Sequence, residues 1–193
     1  MGLIGGILTP LYNGFPVALM SPTDFLQQPY HWLQAISHYR GTISPAPNFA
    51  YDLCVEMIPP EKRHDLDLSS WEISFNGAEP IRPETLDRFV DAFGPHGFRR
   101  ETFYPCYGLA ESTLIVTGGE KQAAPIVHPG RESHFSMNGS ADHATRGRYI
   151  VGCGQSWPGQ RIEIVDPESC APQTPGTEGE IFVYFVFLWQ FSK

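Results

Sequence analysis

Tyr104-Pro-Cys-Tyr-Gly-Leu-Ala-Glu-Ser-Thr113 lies between two apolar runs, Thr102-Phe-Tyr104 and Leu114-Ile-Val116. The first run predicts a strand, and Pro105 and Gly108 predict that the chain breaks after it. An aromatic ring (Tyr107), a carboxylate (Glu111) and two hydroxyls (Ser112, Thr113) then share one short turn at a strand end. Ligands of open α/β sheets bind outside the carboxyl ends of strands. A flat ring, a metal-capable acid and a hydroxyl together suit a nucleotide with its Mg²⁺. On these ten residues alone a second reading stays open, a hairpin corner whose Tyr packs and whose Glu is solvated. The stretch Phe75-Asn-Gly-Ala-Glu-Pro-Ile81, one helix upstream, favours the first.

Working outward, Pro83 opens a helix with Leu86, Phe89, Val90 and Phe93 on one face, ended by Gly94-Pro95. Residues 100–104 read as the strand feeding the turn, and residues 68–75 contain another. Residues 49–57 read as a helix stopping before Pro59-Pro60, residues 41–44 as a strand, and residues 25–39 as one helix. That helix carries the stripe Leu26, Trp32, Leu33, Ile36 and Tyr39. Residues 16–20 are a further strand candidate. Strands alternating with helices predict an α/β fold with a mostly parallel sheet and flanking helices.

Residues 1–117 form this portion. Residues 118–148 are polar and without period, and read as a long irregular excursion. Residues 149–183 resume with an alternating run, Gln160-Arg-Ile-Glu-Ile-Val-Asp166, and a Pro175-Gly176 turn into Glu180-Ile-Phe-Val183, which predicts a small antiparallel β subdomain. Residues 184–193 are apolar without punctuation, either a buried last strand or an exposed aggregation hazard. Met1 to Tyr12 is apolar from the start, yet Gly5, Gly6 and Pro10 interrupt it too often for a membrane span. It reads as a buried segment whose preceding residues are missing.

At 193 residues the chain is one large domain or part of a bigger one. A formal net charge of −8, with no compensating basic cluster, argues against a nucleic-acid surface. Four scattered cysteines without a Cys-x-x-Cys pair read as reduced thiols of a cytoplasmic protein. The seven histidines show no ligand spacing, so no zinc is assigned.

Several stretches, in order, resemble the adenylate-forming superfamily, and most closely its fatty-acyl-AMP ligases. They are Met1-Gly-Leu-Ile-Gly-Gly6 with Pro10-Leu-Tyr12, Pro47-Asn-Phe-Ala-Tyr51, Leu68-Ser-Ser-Trp71, Asn76-Gly-Ala-Glu-Pro80, Tyr104 to Glu111, Val151-Gly-Cys-Gly154, Ile164-Val-Asp-Pro167 and Gly179-Glu-Ile181. Together they span roughly Met1 to Val183, part of the large N-terminal domain of such an enzyme. Ala110, where CoA-ligating members carry Thr, resembles the fatty-acyl-AMP branch, and residues 118–148 lie where that branch carries an insertion.

The resemblance implies that the full enzyme joins a fatty acid to the α-phosphate of ATP, releasing pyrophosphate. It then passes the acyl group to an acyl carrier protein or to a carrier domain of a polyketide or nonribosomal synthase. It places Tyr107, Gly108, Leu109 and Ala110 with Asn76, Gly77, Ala78 and Glu79 around the nucleotide. Glu111 is implied as the Mg²⁺ ligand, with Ser112 near the α-phosphate. Gly2, Leu3, Gly6, Asn48 and Phe49 are implied as acyl-pocket residues, with Ala78 a further candidate; plain core packing is the competing reading for Leu3 and Phe49, and a cap or turn role for Glu79 and Asn76. The family's phosphate loop, ribose-binding Asp and catalytic Lys have no counterpart in this sequence. The resemblance therefore implies an internal fragment that is inactive alone. Alternatives are an acyl-CoA ligase fragment and a non-catalytic remnant.

Overall fold

The computed structural model describes residues 2–130 and 149–185. Near the N-terminus, Ile4–Leu8 form a π-helical turn that runs into helix α1 (Thr9–Asn13), which ends at Gly14 in the left-handed region. Gly5, Gly6 and Pro10 therefore do not prevent a helix. Nor is the segment buried within this chain, since Leu3, Leu8, Leu11 and Tyr12 are exposed. Residues 16–20 form no strand: they are irregular, and no described strand lies beside them to complete a ladder.

The helix expected over residues 25–39 is two helices, α2 (Pro22–Gln27) and α3 (Tyr30–Tyr39). Gln28 leaves the helical region (φ −142°, ψ 76°) because it precedes Pro29, whose ring crowds a helical predecessor. The strand expected at residues 41–44 is reduced to one parallel bridge, Ile43 to Ile73. Helix α4 (Asn48–Met57) stops before Pro59-Pro60, as its sequence predicts, and a short α5 (Pro60–Arg63) follows.

Strand β1 (Ser74–Asn76) leads to α6 (Pro83–Phe93), whose buried face carries Leu86, Phe89 and Phe93. Arg100–Thr102 is a 3₁₀ turn, and β2 (Phe103–Tyr107) starts three residues later than expected. Pro105 lies inside β2 and does not break it. Strand β3 (Thr117–Gly118) pairs antiparallel with β2 only from Cys106 onward, so on that side the proline faces no ladder partner.

Within the expected irregular excursion, β4 (Val127–Pro129) pairs antiparallel with β5 (Tyr149–Val151). Strand β6 (Gln155–Ser156) pairs with β3. The predicted antiparallel pair is β7 (Gln160–Val165) with β8 (Glu180–Phe185). The remainder of the excursion, residues 131–148, and residues 186–193 of the apolar tail lie outside the described residues. The larger sheet runs β1-β2-β3-β6 and is mixed: β1 and β2 are parallel, the rest antiparallel.

One aromatic cluster holds α4 and α6 against β1 and β2. Tyr51, Trp71, Phe89, Phe93 and Phe103 are all at most 1% exposed. Tyr51 meets Phe89 and Phe103 edge-on at 5.1 Å each, and Phe98 meets Phe103 at 4.9 Å. Edge-to-face pairs of this kind add about 0.5–1.5 kcal/mol beyond area burial. The Tyr51 hydroxyl shares a 2.7 Å hydrogen bond with Ser74 Oγ, which satisfies both groups inside the core, and burial raises the Tyr51 pKa.

Candidate functional site

Parallel pairing decides where the site forms. Asn76, the last residue of β1, is in register with Pro105 of β2, and Ala46 bridges Asn76 in parallel on the other side. Three chain segments thus leave the sheet at one edge, by their carboxyl ends. After Ala46 come Asn48 and Phe49; after Asn76 come Gly77, Ala78 and Glu79; after Pro105 come Tyr107 and the turn to Ser112. Twelve of the sequence-predicted residues come together this way: Asn48, Phe49, Asn76, Gly77, Ala78, Glu79, Tyr107, Gly108, Leu109, Ala110, Glu111 and Ser112. This edge is where open α/β sheets bind ligands.

The turn after β2 is tightly closed. Tyr107 accepts the Val116 amide through its carbonyl at 2.9 Å. A Cβ at Gly108 would lie 1.8 Å from the Leu114 carbonyl oxygen, so only glycine fits there. Ala110–Ser112 form one 3₁₀ turn, and the Leu114 amide donates to the Ser112 carbonyl at 2.8 Å across Thr113. Thr113 sits at φ 69°, ψ −55°, a γ-turn of the rare strained form. Ala78, on the neighbouring segment, is also left-handed (φ 69°) without being glycine. Such outliers cost about 1–3 kcal/mol each and cluster at ligand sites.

Polar groups at this edge are left unsatisfied. Both side-chain polar atoms of Asn76, the Ser112 hydroxyl and the Thr117 hydroxyl are buried with no hydrogen-bond partner among the described residues. Asn76 is 0%, Ser112 5% and Thr117 8% exposed, so bulk water does not serve them. Orphaned groups cost about 1–3 kcal/mol each, and three in one place fit a polar ligand. Thr117 was not foreseen, because a threonine at the end of an apolar run carries no signal of a ligand. Glu111 is exposed on the same turn, and Tyr107 is half-buried at its start. Magnesium takes only one or two carboxylates and keeps water and phosphate for the rest, so one acid suits it. No cluster of three or more potential metal-ligating side chains exists among the described residues.

Other expected residues have roles inside the fold. The Asn48 amide is fully buried; its Nδ2 donates to Thr85 Oγ1 at 3.0 Å and its Oδ1 accepts the Arg82 amide at 3.2 Å. Glu79 Oε1 accepts the Phe49 amide at 2.7 Å, one of the helix-start donors of α4. Gly77 needs its missing side chain, since a Cβ would sit 2.7 Å from the Cys106 carbonyl oxygen. Burial pushes the Cys106 thiol up to about 11, which keeps it protonated beneath Gly77. The three N-terminal residues stand apart. Gly2 and Leu3 are exposed, and a Cβ at Gly2 would meet nothing within 4 Å. A Cβ at Gly6 would make only ordinary contact, 3.8 Å from Leu19, whereas one at Gly5 would lie 3.6 Å from Leu114, just past the turn. A separate concavity, lined by residues including Arg63, His64 and His96, shares no residue with this edge.

A parallel pair whose carboxyl ends present an aromatic, an acid and unpartnered polar groups defines a nucleotide-binding type of α/β domain. The family described as "AMP-binding enzyme" matches residues 1–184, and the chain belongs to it. It is 43% identical over 190 residues to a medium-chain-fatty-acid–[acyl-carrier-protein] ligase, JamA, of Moorena producens, covering 94% of this chain and 32% of that protein. It is 40% identical over 186 residues to the corresponding ligase TtuA of Teredinibacter turnerae, covering 95% of this chain and 29% of that one. The fold superposes with a TM-score of 0.86 on a fatty acyl-adenylate ligase from L. pneumophila solved with acyl adenylate and pyrophosphate. That pair shares 47% identity, over 95% of this chain and 32% of the other. The chain thus spans about a third of the length of the relatives it matches. No described helix is long and apolar enough to cross a membrane.

Proposed function

We propose that this chain supplies the nucleotide edge of a fatty-acyl-AMP ligase, which joins a fatty acid to ATP and hands the acyl group to an acyl carrier protein. The observation that carries this reading is the convergence of Tyr107, Glu111 and the orphaned Asn76, Ser112 and Thr117 on one parallel-strand edge. The ligases it resembles, named for medium-chain fatty acids and acyl carrier protein, support the substrate class and the acceptor.

In this reading Tyr107 stacks on one face of the adenine, and the Gly77–Ala78–Glu79 backbone covers the other. Base–aromatic stacking is worth about 1–3 kcal/mol. The Ser112 hydroxyl, with no partner among the described residues, donates to an α-phosphate oxygen. Charge grows on that oxygen as the fatty-acid carboxylate attacks the α-phosphorus and pyrophosphate leaves. Glu111 would hold Mg²⁺, which supplies neutralisation of phosphate charge. The acyl chain lies on the Phe49 and Ala78 side, with Gly2, Leu3 and Gly6 as further lining candidates. Transfer then breaks the acyl–phosphate bond, forms a thioester with the carrier's phosphopantetheine thiol and releases AMP.

The test uses the protein expressed from its natural locus, given ATP, Mg²⁺, dodecanoate and either phosphopantetheinylated carrier protein or CoA. The expected result is acyl-adenylate in both, and thioester with the carrier protein but little with CoA. Rapid acyl-CoA formation would move the protein to the CoA-ligating branch. No acyl-adenylate at all would overturn the reading.

A further inference from the structure

The loop 77–82 is tied to the first turn of α4 at two places, and the two ties differ in kind. Asn48, itself fully buried, accepts the Arg82 amide through Oδ1 in a part-buried bond. Glu79 Oε1 accepts the Phe49 amide at 2.7 Å on the exposed edge. Three consecutive backbone constraints aim that carboxylate: Gly77 leaves no room for a Cβ beside the Cys106 carbonyl, Ala78 is left-handed, and Glu79 precedes Pro80, which restricts it to extended conformations. Pro47, the residue before α4, offers no capping side chain, so Glu79 supplies from thirty residues away what a helix start ordinarily receives locally. The negative carboxylate also suits the positive end of the helix.

We propose that Glu79 is a positioning residue that couples the acyl side of the site to the nucleotide side. This rests on the reading given under Proposed function. Phe49, 44% exposed on the acyl side, donates its amide to the side chain of Glu79, whose backbone continues the Gly77–Ala78 segment on the nucleotide side, so one hydrogen bond joins the two segments. Filling either side steadies that bond and so favours the other ligand. Coupling between sites is reciprocal, and a factor of about 5 or more is typical where it exists. The Glu79 carboxylate thus touches neither ligand, being engaged within the fold, while its backbone belongs to the nucleotide side.

The experiment uses the natural-locus protein with AMP and dodecanoate, a pair that does not form acyl-adenylate because AMP carries no pyrophosphate leaving group. Titration calorimetry gives the AMP affinity with and without saturating dodecanoate, and amide hydrogen exchange reads the Phe49 N–H. The wild-type protein is expected to bind AMP about fivefold or more tightly when dodecanoate is present. Glu79→Ala should bring that factor to one, and speed Phe49 exchange about tenfold, the protection an ordinary hydrogen bond gives. Glu79→Gln keeps an acceptor oxygen and should keep both readouts, whereas Glu79→Asp keeps the charge, loses the reach and should behave like Glu79→Ala. Unchanged Phe49 exchange in Glu79→Ala overturns the bond itself. Faster exchange with an unchanged coupling factor overturns the coupling, as does a wild-type factor of one. A wild-type protein that binds neither ligand overturns the functional reading together with the coupling, and the exchange arm still reports the bond separately.

Discussion

The two ends of β2, Phe103 and Tyr107, are four residues apart and built to opposite specifications. At Phe103 the strand enters a cluster of edge-to-face aromatics, at most 3% exposed, beside which Tyr51 pairs with Ser74 and Thr102 with the Trp71 carbonyl. At Tyr107 it opens into a turn with a strained Thr113 and unpartnered hydroxyls on Ser112 and Thr117. The first end contributes stability, and the second gives some of it up, which the proposed function explains as keeping polar groups free for a ligand. One short strand thus fixes the site's position by anchoring its far end in the core.

The largest test of that contrast is Phe89→Ala. Phe89 is fully buried and faces Tyr51, Phe93, Phe98 and Phe103, so truncation should cost about 3–5 kcal/mol in denaturant unfolding. A loss below about 1 kcal/mol would mean the aromatic cluster is not the anchor. At the other end Glu111→Gln should lower acyl-adenylate formation about a hundredfold while leaving stability within about 0.5 kcal/mol. Unchanged turnover at saturating Mg²⁺ would take Glu111 out of the site.

Ser112→Ala sharpens the comparison because its sign is unusual. Removing a buried hydroxyl that has no partner should stabilise the ligand-free protein, by about 1 kcal/mol, while weakening nucleotide binding. Destabilisation would show that the hydroxyl is satisfied in solution. The smallest effect concerns His96, on the core side. Burial, with the positive charges of His64 and Arg63, lowers its pKa below the usual 6.5. The unfolded chain then binds more protons there, so this contribution to stability is full above that value and is lost as the pH falls through the folded pKa. His96→Gln should therefore flatten the acid side of the stability curve slightly, read as the melting temperature between pH 7 and 5. An unchanged slope would remove His96 from the account.

The anchoring end was the more legible of the two. Pro83 and the spacing of Leu86, Phe89 and Phe93 declare α6, and the alternation over residues 160–166 declares β7, because burial on one face leaves a period in sequence. Pro105 misled, since whether a proline ends a strand depends on where the next strand begins to pair. The N-terminal helix was hidden by Gly5 and Gly6, which fall in the π turn, and by Pro10, which the first turn of α1 tolerates. At the site, residue types pointed to Tyr107 and Glu111 through chemistry and family resemblance. A cap role for Glu79 was open to such reading, but its partner Phe49 on α4 and the unpartnered Thr117 were beyond it, for they arise from chain segments that only the sheet brings together.

The aromatic cluster also bears on how the chain folds as it is made. All members of its buried core except Val151 fall between Leu33 and Phe103. Emerging N-terminus first at about 5–20 residues per second, the chain can close this core before β3 and β6 to β8 have left the ribosome. The β1–β2 pairing spans a single helical crossover, so its loop-closure cost is modest. Phe89 and Phe103 should accordingly show high φ-values and Ser112 a low one. Such an order would let the ligand edge be assembled on a scaffold already in place, so that its strained turn does not slow the nucleation on which it depends.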